Sequence, residues 1–215
     1  MKSHSTFSAL LAVVVCALFG AATAQAQQGQ PLYIAVECMK AIAHSYQGIE
    51  IDVWQPMHEE RVRRGEINSW SLYFVLYGDR SKCDYYTVTT FRGNEQLNHT
   101  PDFESVFSKV HPKKDFEPLM TTTWQSRQHV ASELWEAVDA TETGVHRHPT
   151  VTRTKASDPD ATQRMEPRDI PPGHQALVAG GHRAGWAMYR LESPAGPSLP
   201  YEYSTLDFSN QRSPV

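Results

Sequence analysis

The frame P-x-H-x-x-x-V-x-x-G-x-x-x-x-W-x-x-Y occurs twice without a gap, as PMHEERVRRGEINSWSLY at 56–73 and as PGHQALVAGGHRAGWAMY at 172–189. At a fixed offset of 116, the stretches 50–73 and 166–189 share Glu50/Glu166, Pro56/Pro172, His58/His174, Val62/Val178, Gly65/Gly181, Trp70/Trp186 and Tyr73/Tyr189. Seven identities in 24 positions exceed the roughly one or two that background residue frequencies give. One inserted residue also aligns Tyr86 with Tyr203 and Phe91 with Phe208. A repeat this long implies one supersecondary unit written twice.

Each copy has a readable order of elements. In the first, LYIAVEC at 32–38 reads as a buried strand, 43–64 as a helix stopped by Gly65, and 69–77 and 84–91 as strands joined by a short turn. In the second, 149–155, 185–192 and 201–208 read as strands. The helix between them is expected to start late, near Pro172, because Pro167 and Pro171 break the residues before it. Between the copies, 102–112 and 117–139 read as helices, the latter placing Leu119, Met120, Trp124, Val130, Leu134 and Val138 mostly on one face. The resulting divisions are a leader at 1–26, a first unit at 27–101, a helical connector at 102–148 and a second unit at 149–215.

The leader has Lys2 and His4 ahead of an apolar run from Ala9 to Ala22 that ends in Ala24-Gln25-Ala26. This is the pattern of a secretory signal peptide cleaved after Ala24 or Ala26, and the run is too short for a membrane span. The expected location is periplasmic or extracellular. Removing Lys2 takes the formal charge from −4 to −5, which argues against a nucleic-acid partner. Of three cysteines, Cys38 and Cys83 survive processing. Pairing the first strand with the third puts them at adjoining strand ends, so a disulfide is expected, with Cα atoms roughly 4.4–6.8 Å apart.

The β-α-β-β unit present twice in an exported chain resembles the ferredoxin-like dimeric α/β-barrel superfamily, of which antibiotic-biosynthesis-type monooxygenases are one branch. The run W-x-P-x-H-x-x-R-x-x-x-G from Trp54 to Gly65, followed by W-x-L-Y and D-Y-Y-T, is similar to a group of uncharacterised exported bacterial proteins. The resemblance implies an α+β fold of tandem ferredoxin-like βαββ repeats. These would form an internal pseudo-dimer of antiparallel sheets with helices on one face. It carries two functions as expectations: an exported protein that binds or handles a small molecule, or a monooxygenase-like enzyme that is cofactor-free or haem-dependent.

On a helical wheel, Glu50, Trp54, Met57, His58 and Arg61 share an arc with Tyr46. Charged groups among large apolar ones must pair with each other or line a wet pocket. The ligand-binding residues expected are therefore Glu50, His58 and Arg61, with Trp70 and Tyr73 as wall, and the ligand class is a small apolar or aromatic molecule. The repeated Pro, Gly, Trp and Tyr have a sufficient reason in packing alone. The second copy has Ile170 for Trp54 and Leu177 for Arg61, so Glu166 and His174 are expected to be structural. His146-Arg147-His148 lacks metal-ligand spacing and reads as a solvated loop. No metal site is expected.

Overall fold

The computed structural model describes residues 29–141, 148–155, 171–196 and 199–209. The signal peptide expected over 1–26, Glu166 and Ile170 lie outside these residues. All the elements belong to the unit that starts at Pro31.

The strands are β1 (Leu32–Ala41), β2 (Ser69–Phe74), β3 (Tyr85–Arg92), β4 (Arg127–Ala140), β5 (His148–Thr154), β6 (Gly185–Ser193) and β7 (Tyr203–Ser209). The helices are α1 (Tyr46–Ile49), α2 (Gln55–Arg63), α3 (Gly93–Leu97), α4 (Phe103–Val110), α5 (Phe116–Ser126) and α6 (Pro171–Ala179). A π-helical turn, Glu50–Trp54, joins α1 to α2. Pro56 accounts for it: with no N–H to offer the carbonyl of Asp52, it interrupts the ladder, and the turn ahead of it widens.

The seven strands make one antiparallel sheet in the order β2-β3-β1-β4-β6-β7-β5. The strands therefore form a single sheet and not the two that a pseudo-dimer suggested. Each repeated stretch has its first strand beside its third, as expected: β1 beside β3, and β5 beside β7. The sheet is strongly curled. Arg153 on β5 is three strands from Glu133 on β4, about 14 Å in a flat sheet at the usual ~4.8 Å spacing. Its guanidinium nevertheless lies 2.7 Å from the Glu133 carboxylate.

Two apolar layers lie on opposite faces. The concave face holds Ile34, Trp135, Ala187 and Tyr189 with Leu206 and Phe208 around them. The outer face carries Trp70 and Trp186 and is covered by helices, where Val53, Trp54, Met57, Val106 and Phe107 pack together. Both repeated helices end alike. Gly65 and Gly181 sit at φ 75° and 73°. The following N–H groups of Glu66 and His182 reach back to the carbonyls of Arg61 and Leu177 at 3.0 and 2.9 Å. This helix stop needs a left-handed residue, which glycine supplies without a side-chain penalty.

Three expectations need correction. The helix read over 117–139 stops at Ser126, and 127–140 is the longest strand, so 102–148 is not a helical connector. Its alanines, glutamates and Leu134 favour a helix locally, but pairing with β1 on one side and β6 on the other overrides that preference. The one-residue insertion aligning Phe91 with Phe208 also fails. Trp70 pairs with Thr89 and Trp186 with Asp207, an offset of 118 for the third strands. An odd shift would have flipped every side chain to the other face. Finally, if packing alone kept both repeated tryptophans, both should be core anchors; Trp186 is 3% exposed, but Trp70 is only half-buried.

Cys38 and Cys83 form a disulfide with Cα atoms 5.5 Å apart, and Asp84 N–H donates to the Met39 carbonyl beside it. Among the described residues, no helix is long and apolar enough to cross a membrane.

Candidate functional site

Tyr46, Glu50, Trp54, Met57 and Arg61 are all under 9% exposed, so the stripe read from the sequence faces inward. The carboxylate of Glu50, 1% exposed, takes a 2.5 Å hydrogen bond from the guanidinium of Arg127. Burial raises the pKa of Glu50, and the Arg127 charge opposes that shift. Arg127 stands where α5 gives way to β4. The junction is pinned because the Ser126 carbonyl accepts from the N–H groups of Ile42 and Ala43 at 2.8 and 3.0 Å. Tyr46, Trp54 and Trp124 surround the guanidinium with ring centroids 5.8, 6.0 and 5.4 Å from its carbon.

Two polar atoms here are buried without a hydrogen-bond partner among the described residues: the Tyr46 hydroxyl and Arg127 Nε. Tyr46 is fully buried. Its hydroxyl lies near both Glu50 and Arg127 without the geometry of a hydrogen bond to either. Burial first, and then the charge of Glu50, raise the pKa of its phenol, so it stays protonated and able to donate. Buried polar groups are rarely left unpaired, and each such case requires an explanation. π-helical turns also recur at functional sites.

His58 lies beside this cluster. Its ring stacks on Trp70 at 4.8 Å and on Trp54 at 6.0 Å. Arg61 donates to His58 Nδ1 at 3.3 Å. An Nδ1 that accepts fixes the neutral tautomer, with the proton on Nε2. Burial, and then the charges of Arg61 and Arg127, lower the pKa of His58 to about 3. At neutral pH it is a hydrogen-bond donor and a poor base. Arg61 in turn pairs with Glu66 at 3.2 Å and lies over the Phe103 ring at 5.0 Å.

The second copy repeats the ring pair. His174 stacks on Trp186 at 4.2 Å and accepts at Nδ1 from Arg183 at 2.7 Å. The arginine comes from beyond Gly181 and replaces the guanidinium lost at Leu177. It also pairs with Asp207. Burial and Arg183 lower the pKa of His174.

The structure therefore brings Glu50, His58, Arg61 and Trp70 into one layer between helices and sheet. Tyr73 is not among them. Three residues beyond Trp70 on a strand, it faces the concave side, where it neighbours Tyr189. Arg127 was hidden from sequence reasoning because it was read as a helix interior. The Arg153, Glu133 and Tyr201 cluster on the concave face was missed as well. Arg153 holds Glu133 at 3.2 and 2.7 Å, Trp135 donates to the same carboxylate at 3.2 Å, and Tyr201 bonds to it too. Every lone-pair direction of that carboxylate is engaged, so the cluster ties the curled sheet together and offers no free acceptor to a ligand. Among the described residues, no group of three His, Cys, Asp or Glu could hold a metal ion.

No protein-family model matches the sequence, and no curated protein matches it. In fold, the chain is similar to the crystal structure of a "putative monooxygenase" from Fusobacterium nucleatum, with a TM-score of 0.50 and 10% identity over 84% of this chain and 76% of that one. A structure named "putative chlorite dismutase" aligns with a TM-score of 0.40 and 10% identity over 85% of this chain and 81% of that one. The first likeness is one of fold alone, a mixed α/β architecture with a curled antiparallel sheet.

Proposed function

We propose that this is an exported small-molecule-binding protein built as two tandem ferredoxin-like halves. Its ligand site is the helix–sheet layer of the first half. The single observation that carries the site is the pair of buried, unpartnered polar atoms on Tyr46 and Arg127, set against the Glu50 carboxylate inside an aromatic surround. An apolar wall with a few convergent polar groups is the usual form of a small-molecule site. Glu50, Arg61, His58 and Trp70 support and bound it, while Tyr73 belongs to the opposite face. Matching helix stops, matching His–Trp stacks and matching strand pairing support the tandem reading. The disulfide is consistent with an oxidising compartment.

The test is thermal-shift screening of a small aromatic compound library on the wild type, Tyr46→Phe and His174→Ala. Stabilisation lost in Tyr46→Phe and retained in His174→Ala supports the site. Equal loss in both variants, or no stabilisation by any compound, overturns it.

A second reading, a monooxygenase-like enzyme, has the fold likeness in its favour. His58 as held here does not fit a haem ligand, since its Nδ1 accepts from Arg61 and the proton is therefore on Nε2, the nitrogen that would face the iron. This reading is therefore the cofactor-free one. A haem or flavin band in the visible spectrum of protein purified from its native compartment would contradict that form of it.

A further inference from the structure

We infer that the group received by Tyr46 and Arg127 is a single uncharged acceptor oxygen, as in a ketone, amide or ether on an aromatic body, and not a carboxylate or phosphate. The inference rests on the site proposed above and specifies its ligand. Both unpartnered atoms can donate: Arg127 Nε carries only a donor, and the Tyr46 hydroxyl keeps its proton. What they lack is an acceptor in hydrogen-bonding geometry, since Glu50 lies near the Tyr46 hydroxyl but is bonded through another nitrogen of Arg127.

Charge decides which acceptor fits. The guanidinium of Arg127 is already neutralised by Glu50 at 2.5 Å, and Arg61 by Glu66 at 3.2 Å, while His58 is held neutral. The layer therefore has no uncompensated cation among these groups. An anionic ligand would bring a second negative charge against a carboxylate that is 1% exposed, where repulsion is weakly screened. A neutral oxygen adds two hydrogen bonds and no charge. An ordered water could serve the same two donors, and a ligand oxygen would replace it. The aromatic body is inferred from the surround of Tyr46, Trp54 and Trp124. Of these rings Trp124 is the exposed one, at 58%.

Three probes of similar size separate the possibilities: acetophenone, with a neutral oxygen; benzoate, with an anionic one; and ethylbenzene, with none. Affinities are measured by calorimetry and by tryptophan fluorescence on the wild type and on Tyr46→Phe, whose folding is checked by circular dichroism. Acetophenone is expected to bind at least tenfold more tightly than either other probe. Tyr46→Phe is expected to weaken acetophenone severalfold and leave ethylbenzene unchanged. Benzoate binding as tightly as acetophenone overturns the charge argument. Ethylbenzene binding as tightly overturns the acceptor argument and leaves the site standing. Binding by none of the three overturns both the inference and the site beneath it.

Discussion

The two copies of the repeated frame keep the same ring pair in different company. His58 on Trp70 lies under Trp54 and beside α4, with Phe103 over Arg61. His174 on Trp186 lies on α6, where Leu177 is 37% exposed. In each, an arginine donates to Nδ1, but from three residues on in one copy and nine in the other. A donor recovered from a different sequence position means that the neutral, stacked imidazole is what both copies need. The shared histidine therefore reads as a packing element, and the distinguishing chemistry lies in what only the first copy has, the Tyr46, Glu50 and Arg127 cluster.

The strongest way to break this comparison is to remove the arginines in turn. Arg127→Met strands a buried carboxylate and is expected to cost about 3–5 kcal/mol in urea unfolding. Arg183→Met, which opens a partly exposed pair with Asp207, is expected to cost about 1 kcal/mol or less. Adding Glu50→Leu to Arg127→Met should recover most of the loss, since no buried charge is then left alone. Similar costs for the two single variants would erase the asymmetry.

The next test concerns how each copy secures its first strand. Counting from Trp70 and Trp186 through the strand registers, Cys38 opposite Tyr86 corresponds to Arg153 opposite Ser204. One copy fixes this point with a disulfide across 45 residues and the other with an ion pair to Glu133. Replacing both cysteines with alanine is expected to cost about 2–4 kcal/mol. Arg153→Met is expected to cost about 2 kcal/mol, because Glu133 keeps Trp135 and Tyr201 as donors. A larger loss from Arg153→Met would make the ion pair the main fastening.

The smallest effect is in pH. Histidine in the unfolded chain titrates near 6.5, whereas His58 in the folded protein titrates at about 3. Between these values the unfolded state binds the proton and the folded state does not. The stability contributed by a neutral His58 is thus fully present above about pH 6.5 and is lost as pH falls towards 3. Allowing for the partial exposure of its ring, the expected slope is roughly 1 kcal/mol per pH unit or less. His58→Phe should flatten the acid limb of stability, and His174→Phe should change it less. An unchanged acid limb in His58→Phe would count against the neutral stack.

Much of this arrangement can be read in the residues. Alternating strands, the glycines at 65 and 181 and the cysteine pair each have a local signature that tertiary structure respected. The inward stripe from Tyr46 to Arg61 was legible because a π-helical turn of one step does not rotate it out of the core. Arg127 was not legible. It lies 77 residues from Glu50 at a junction whose strand character comes from two neighbours and not from its own composition. The Glu133 and Arg153 contact was equally remote, since it depends on how far the sheet curls.

The longest strand among the described residues lies by sequence between the two copies and by hydrogen bonding joins both. β4 pairs with β1 along one edge and with β6 along the other, and among the described residues it is the only link in the sheet between the two repeated stretches. A chain cut after residue 141 would leave that strand with an open edge of up to 14 residues carrying Trp135 and Leu134. Such an edge is a template for pairing with another chain. The two copies are thus expected to melt together in one cooperative transition, and an excised first copy to self-associate. The two repeated stretches share one sheet, with β4 at its centre.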